Sequence, residues 1–150
     1  MSALLDRSRQ PGHLATVADV RYLDVQHVPG DSGDLFVYES GRCMPYEARR
    51  VFTVHARSPA ERGRHAHRLC RQIMVCLAGA CDVLVDDGAT RKTMLLDRPD
   101  TALFVPPSIW AEQRYRRAGT ILMVMCDREY DEGDYIRDYE AFRAFRDEAA

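Results

Sequence analysis

Short apolar runs separated by turn-forming residues recur through the middle of the chain, and this rhythm restricts the fold more than any other feature. "DLFVYES" precedes Gly41, "RRVFTVHA" precedes "RSPAERG", and "TALFVPP" and "TILMVMC" follow later. Between them, "QIMVCLAGACDVLVDDGATRKTMLL" reads as one hairpin or two, with turns at Ala78-Gly79 and Asp87-Gly88. Many short strands at such spacing, almost without helical periodicity, predict an antiparallel sandwich or barrel. Only the end departs from it. In "DYIRDYEAFRAFRDEAA", Tyr135, Ile136, Tyr139, Phe142 and Phe145 recur every three or four residues, which predicts an amphipathic helix with Asp134 as its N-cap. The first residues, through Val17, mix charge, proline and glycine without a period and read as a loose arm.

A chain of 150 residues suits one domain with a single core. Its 46% apolar and 29% charged residues are ordinary for a soluble globular protein. A net charge of -2 offers no footprint for nucleic acid and no polybasic patch for a membrane. Lys92 is the only lysine, so arginine supplies the positive charge. The five cysteines show no C-x-x-C pairing, and no apolar run is long enough to span a bilayer, so reduced thiols in a cytoplasm are the expectation.

Against this background "ERGRHAHR" stands out. Residues two apart on a strand share a face, so His65 and His67 enter the barrel together if either does. The string His65-Ala66-His67, four residues, Gln72, six residues, Gly79 resembles the first motif of the cupins, small jelly-roll barrels, with glutamine in their carboxylate slot. In "DTALFVPPSIWAEQ" the second cupin motif places Pro106 correctly, Ser108 at a glycine and Ala111 at the histidine. Alanine donates nothing and an amide is a poorer ligand than a carboxylate, so two of four ligands remain. A catalytic metal normally needs three. The expectation is therefore no metal. Imidazoles that titrate near neutrality are left to move protons themselves.

The residues also resemble one particular family. "RRVF", "ERGRHAHR", "Q-I-M-V-C-L-A-G", "VDDG", "LDRP", "LFVPPSIW" and "YDEGDYIRDYEAF" are similar, in that order, to the cupin-type nucleotide-sugar 3,4-ketoisomerases, over about residues 30 to 145. The resemblance implies an all-β cupin jelly-roll barrel with a short C-terminal amphipathic helix. Residues 1–17 would be the arm and 18–150 a single cupin domain. It implies conversion of dTDP-4-keto-6-deoxyglucose to a 3-keto isomer through an enediol, without metal or other cofactor, in deoxysugar and aminosugar biosynthesis. It also implies a homodimer with exchanged N-terminal strands.

The resemblance carries His65 and His67 over as catalytic histidines, with Arg50, Phe52 and Gln72 as substrate-binding residues. Either histidine can be the base, and His67, deeper along the strand, is expected to be the more damaging to replace. Arg50 can meet an oxyanion or phosphate. Gln72, expected on the paired strand, can bind a hydroxyl, hold a tautomer or merely fill the old ligand slot. Trp110 can stack on the base or sugar, or pack at the rim. Arg64 and Arg68 have the opposite phase to the histidines and should face outward. Asp86-Asp87-Gly88 reads as a turn rather than an acid pair. The chain departs from the family at Thr53, where a second aromatic is frequent, and at Ala111, where a polar residue is. The competing readings are a non-catalytic nucleotide-sugar-binding cupin and a metal-dependent cupin enzyme.

Overall fold

The computed structural model describes residues 14–149. Two five-stranded antiparallel sheets face each other. The first holds β1 (Arg21–Asp24), β4 (Arg50–His55), β6 (Gln72–Ala78), β9 (Thr101–Val105) and β11 (Ile121–Cys126), in the order β1-β9-β6-β11-β4. The second holds β5 (Ala60–His67), β7 (Cys81–Asp86), β8 (Arg91–Leu96), β10 (Trp110–Tyr115) and β12 (Tyr135–Ile136), in the order β12-β5-β10-β7-β8. A ribbon of β2 (Gln26–Val28) and β3 (Leu35–Val37) stands apart. This is the expected jelly-roll arrangement.

The core lies between the sheets, where Met74, Cys76, Val83, Val85, Leu103, Leu122 and Val124 meet. β6 reads as a continuous apolar run because it is covered on both faces. Ile73 and Val75 point the other way, into a second cluster with Phe104, Met125 and Tyr46. The five cysteines are all free and buried.

One of the two expected hairpin turns is a hairpin. β7 and β8 pair directly, and Asp87 closes their turn by accepting from the backbone N–H groups of Ala89 and Thr90. Ala78-Gly79 instead carries the chain from one sheet to the other, since β6 and β7 belong to different sheets. Gly79 has φ 78°, and a Cβ there would sit 2.4 Å from Thr120 Oγ1, so this corner requires glycine.

The C-terminal helix is shorter than its periodicity predicts. α1 spans Tyr139–Ala149, while Tyr135 and Ile136 form β12 against His67 and Ala66. Asp138, not Asp134, caps the helix, accepting from the Ala141 N–H at 2.9 Å. Phe142 then packs with Ala66, Trp110 and Ile136 on the outer face of the second sheet. Burying a side chain of that size contributes about 1.5–3 kcal/mol.

The arm is also shorter than expected. Ala15 is 1% exposed within the core, its N–H donates to Ser108 Oγ, and Thr16 caps a 3-10 turn at Val17–Asp19. Residues 1–13, which carry the rest of that expectation, lie outside the described residues.

Candidate active site

β5 does not run regularly to its histidines. Gly63 and Arg64 have φ 84° and 58°, and the β5–β10 register slips there, so that Ala111 faces His65 while Glu112 faces Gly63. The bulge ejects Arg64 to solvent, where it pairs with Glu61 at 2.8 Å, and leaves His65 and His67 on one side of the strand. Their rings meet edge to face, 5.0 Å between centroids.

His65 lines a cavity of about 390 Å³ at the mouth of the barrel. The other walls come from both sheets: Arg50, Phe52 and Thr53 of β4, Gln72 and Met74 of β6, Arg62 of β5, Gln113 and Tyr115 of β10, and Tyr135 and Arg137. Gln72 thus reaches the site from the opposite sheet, not from a strand paired with β5. An ion pair of Arg71 with Asp127 at 2.7 Å secures the chain just before it, and its side chain donates to Cys126 Sγ at 3.6 Å.

Burial and the nearby His67 depress His65 to a pKa of about 4, so its imidazole is neutral at physiological pH. His65 Nδ1 has no hydrogen-bond partner. His67 sits behind it and is 7% exposed. Its Nδ1 lies 2.9 Å from Asp134 Oδ2. An ionised carboxylate only accepts, so Nδ1 carries a proton, while Nε2 is buried without a partner. Burial raises the Asp134 carboxyl, but hydrogen bonds from His67 and from the Leu69 and Cys70 backbone outweigh that and hold it below the usual carboxylate range. His67, Asp134 and their backbone donors form a fixed unit behind a neutral, cavity-facing His65.

Tyr135 joins this group although its sequence pattern placed it on the helix. Its ring centroid is 4.9 Å from that of His65 and 4.4 Å from that of His67, and its hydroxyl accepts from Arg50 at 3.4 Å. The Arg50 guanidinium also lies over the Phe52 ring, 4.8 Å from its centroid, and over Tyr130 at 5.0 Å. A neutral imidazole, a phenol held by a guanidinium and a carboxamide thus face one cavity, an arrangement suited to proton transfer beside a carbonyl.

Trp110 is not brought to this site. It is 4% exposed on the outer side of the second sheet, against Tyr139 and Phe142. It packs beneath the helix and does not line the His65 cavity. The old cupin metal slot does not fit a metal: it offers His65, His67, Gln72 and Ala111, and Ala111 is buried opposite His65 with no donor. Ser108, in the glycine position of the second cupin motif, keeps the glycine's geometry with φ 67°. There its N–H donates to the His67 carbonyl at 2.7 Å. Asp134 and Tyr135 were missed because one helical period runs through them into α1.

The chain is similar along most of its length to one known family. Residues 18–147 match the family described as "FdtA: WxcM-like, C-terminal". A curated relative, the TDP-4-oxo-6-deoxy-alpha-D-glucose-3,4-oxoisomerase of Aneurinibacillus thermoaerophilus, is 32% identical over 83% of this chain and 91% of its own length. A 3,4-ketoisomerase from Helicobacter canadensis superposes with a TM-score of 0.83 at 30% identity, covering 86% of this chain and 98% of that one. QdtA, a sugar 3,4-ketoisomerase from Thermoanaerobacterium thermosaccharolyticum solved in complex with TDP, gives 0.84 at 25% identity, covering 89% and 98%. With its barrel, its His-x-His strand and nearly its whole length inside these matches, the chain belongs to the FdtA family, the cupin-type nucleotide-sugar 3,4-ketoisomerases.

Proposed function

We propose that this isomerase converts dTDP-4-keto-6-deoxyglucose to its 3-keto isomer, with His65 as the group that moves the proton. The observation that carries the reading is the neutral imidazole of His65 facing the cavity, backed by a His67 that Asp134 locks. His65 removes the C3 proton beside the C4 ketone, and the electron pair left behind forms an enediolate across C3 and C4. Return of a proton to C4, with transfer of the C3 hydroxyl proton to the C4 oxygen, leaves the ketone at C3 and a hydroxyl at C4. The Arg50 guanidinium and the Tyr135 hydroxyl stand where donors can hold the developing oxyanion, worth about 2.7–4 kcal/mol for one such donor. His67 and Asp134 orient His65 rather than replace it. Gln72 and Phe52 shape the sugar's seat, and Arg62 and Arg137 are placed to meet the diphosphate.

Metal-stripped protein incubated with the 4-keto substrate should yield the 3-keto sugar nucleotide by NMR. Binding of dTDP without turnover would instead favour a non-catalytic binding cupin, and activity that needs added metal would favour a metal-dependent enzyme.

The same reading includes a homodimer in the cytoplasm. Val28, Leu35 and Val51 are exposed apolar residues available to a second copy. Sedimentation should give twice the chain mass, and a monomer at working concentration would remove the dimer from the account.

A further inference from the structure

His67 turns its Nδ1 away from the cavity, toward Asp134 and a buried cysteine that isomerisation does not use. One ligating atom each from His67, Cys70 and Asp134 lies within 4.8 Å of the other two, and all three residues are buried. The Cys126 thiol interacts with that of Cys70, which brings a second sulfur alongside. Arg68 and Leu69 above are exposed, so the cluster lies just under the surface.

We propose that His67, Cys70 and Asp134 form a binding site for a thiophilic divalent cation of the zinc class, and that filling it switches off the histidine pair. The donor types are those zinc prefers, an imidazole nitrogen, a thiolate and a carboxylate, and three protein ligands leave a fourth position for water. Charge balances as well, since one thiolate and one carboxylate offset the two positive charges of a buried ion. The geometry needs little movement. Tetrahedral zinc bonds of about 2.0–2.2 Å put nitrogen and oxygen ligands about 3.3 Å apart. His67 Nδ1 and Asp134 Oδ2 are now 2.9 Å apart.

Proton accounting gives the consequence. The Cys70 thiol loses its proton to solvent, and the carboxylate has none to lose. His67 Nδ1 gives up its proton to bind the ion. The bond from His67 to Asp134 then becomes a bond to the ion, and the orientation that Asp134 gives the histidine pair is lost. This site is distinct from the cupin lumen slot, which would use the histidines with Gln72 and Ala111. The binding claim stands on the donor set; the loss of activity rests on the role given to His67 above.

Zinc is titrated into metal-free protein against a chromophoric chelator, cobalt(II) is substituted as a spectroscopic probe, and turnover is followed at each occupancy. The expected result is one zinc per chain, a thiolate-to-cobalt charge-transfer band, and turnover that falls with occupancy and returns on chelation. Cys70→Ser should lose the band, weaken zinc binding by more than about 100-fold, and keep its turnover in the presence of zinc. Cys70→Ser retains the backbone N–H that Asp134 accepts, and thermal melting checks that it folds. No zinc binding, or equal binding by Cys70→Ser, overturns the site. Zinc held by Cys70 with turnover untouched overturns the switch while leaving the isomerase reading intact.

Discussion

At the scale of single residues, the account divides labour between two histidines that sequence spacing makes equivalent. Depth along the strand favoured His67 as the base, but His65 lines the cavity while His67 is enclosed and bonded to Asp134. His65→Asn should therefore cost about 10²–10⁴-fold in kcat, the usual worth of a general base, with dTDP affinity unchanged by calorimetry. His67→Asn should cost less. Asp134→Asn should cost about 10–100-fold, the usual effect of losing an orienting partner, with KM preserved. Equal losses in both histidine variants would mean that they act as one unit. The depressed pKa of His65 also sets a pH dependence. With its native value about 4 against 6.5 unperturbed, the unfolded chain takes up the proton first on acidification. The contribution to stability is complete above pH 6.5 and declines as pH falls toward 4. For the same reason the acid limb of kcat/KM should lie well below 6.5. A limb at 6.5 would show that a different group titrates.

At the scale of elements, the strands were legible because their apolar runs and turn residues are local signals. Which sheet a strand joins is not local. Ala78-Gly79 and Asp87-Gly88 carry the same turn signal, yet only the second closes a hairpin, and the difference lies in the contact of Gly79 with Thr120 far along the chain. The His-x-His spacing survived translation into structure because both residues lie beyond the bulge at Gly63 and Arg64. Asp134 and Tyr135 were hidden for a physical reason. Ile136 of β12 and Phe142 of α1 pack into one cluster, so strand and helix share a single apolar period. Two aspartates four residues apart then compete for one capping role. Substitution separates them: Asp138→Ala should cost about 1 kcal/mol of stability and leave turnover alone. Asp134→Asn should reverse that emphasis, lowering turnover more than a lost cap explains. Thermal melts read beside rates distinguish the two. Trp110 was legible as a core aromatic and illegible in its direction, because only the docked helix shows that it faces outward.

At the scale of the whole molecule, the barrel brings side chains from two sheets to one mouth: His65 from one, Arg50, Phe52 and Gln72 from the other. A site divided in this way depends on the sheets keeping their spacing. Gly79→Ala, at the corner between them, should therefore cost about 2 kcal/mol or more, because a Cβ at φ 78° would meet Thr120. An unchanged melting temperature would show that the corner can relax. The central claim is that a proton leaves and returns at neighbouring sugar carbons through His65. It is tested most directly by incubating metal-stripped protein with dTDP-4-keto-6-deoxyglucose in deuterium oxide and following the sugar protons by NMR. The account predicts loss of the C3 proton signal and a 3-keto product carrying deuterium at C4, both abolished or nearly so in His65→Asn. Absence of exchange and product in the wild type, or unaltered exchange in His65→Asn, would contradict it.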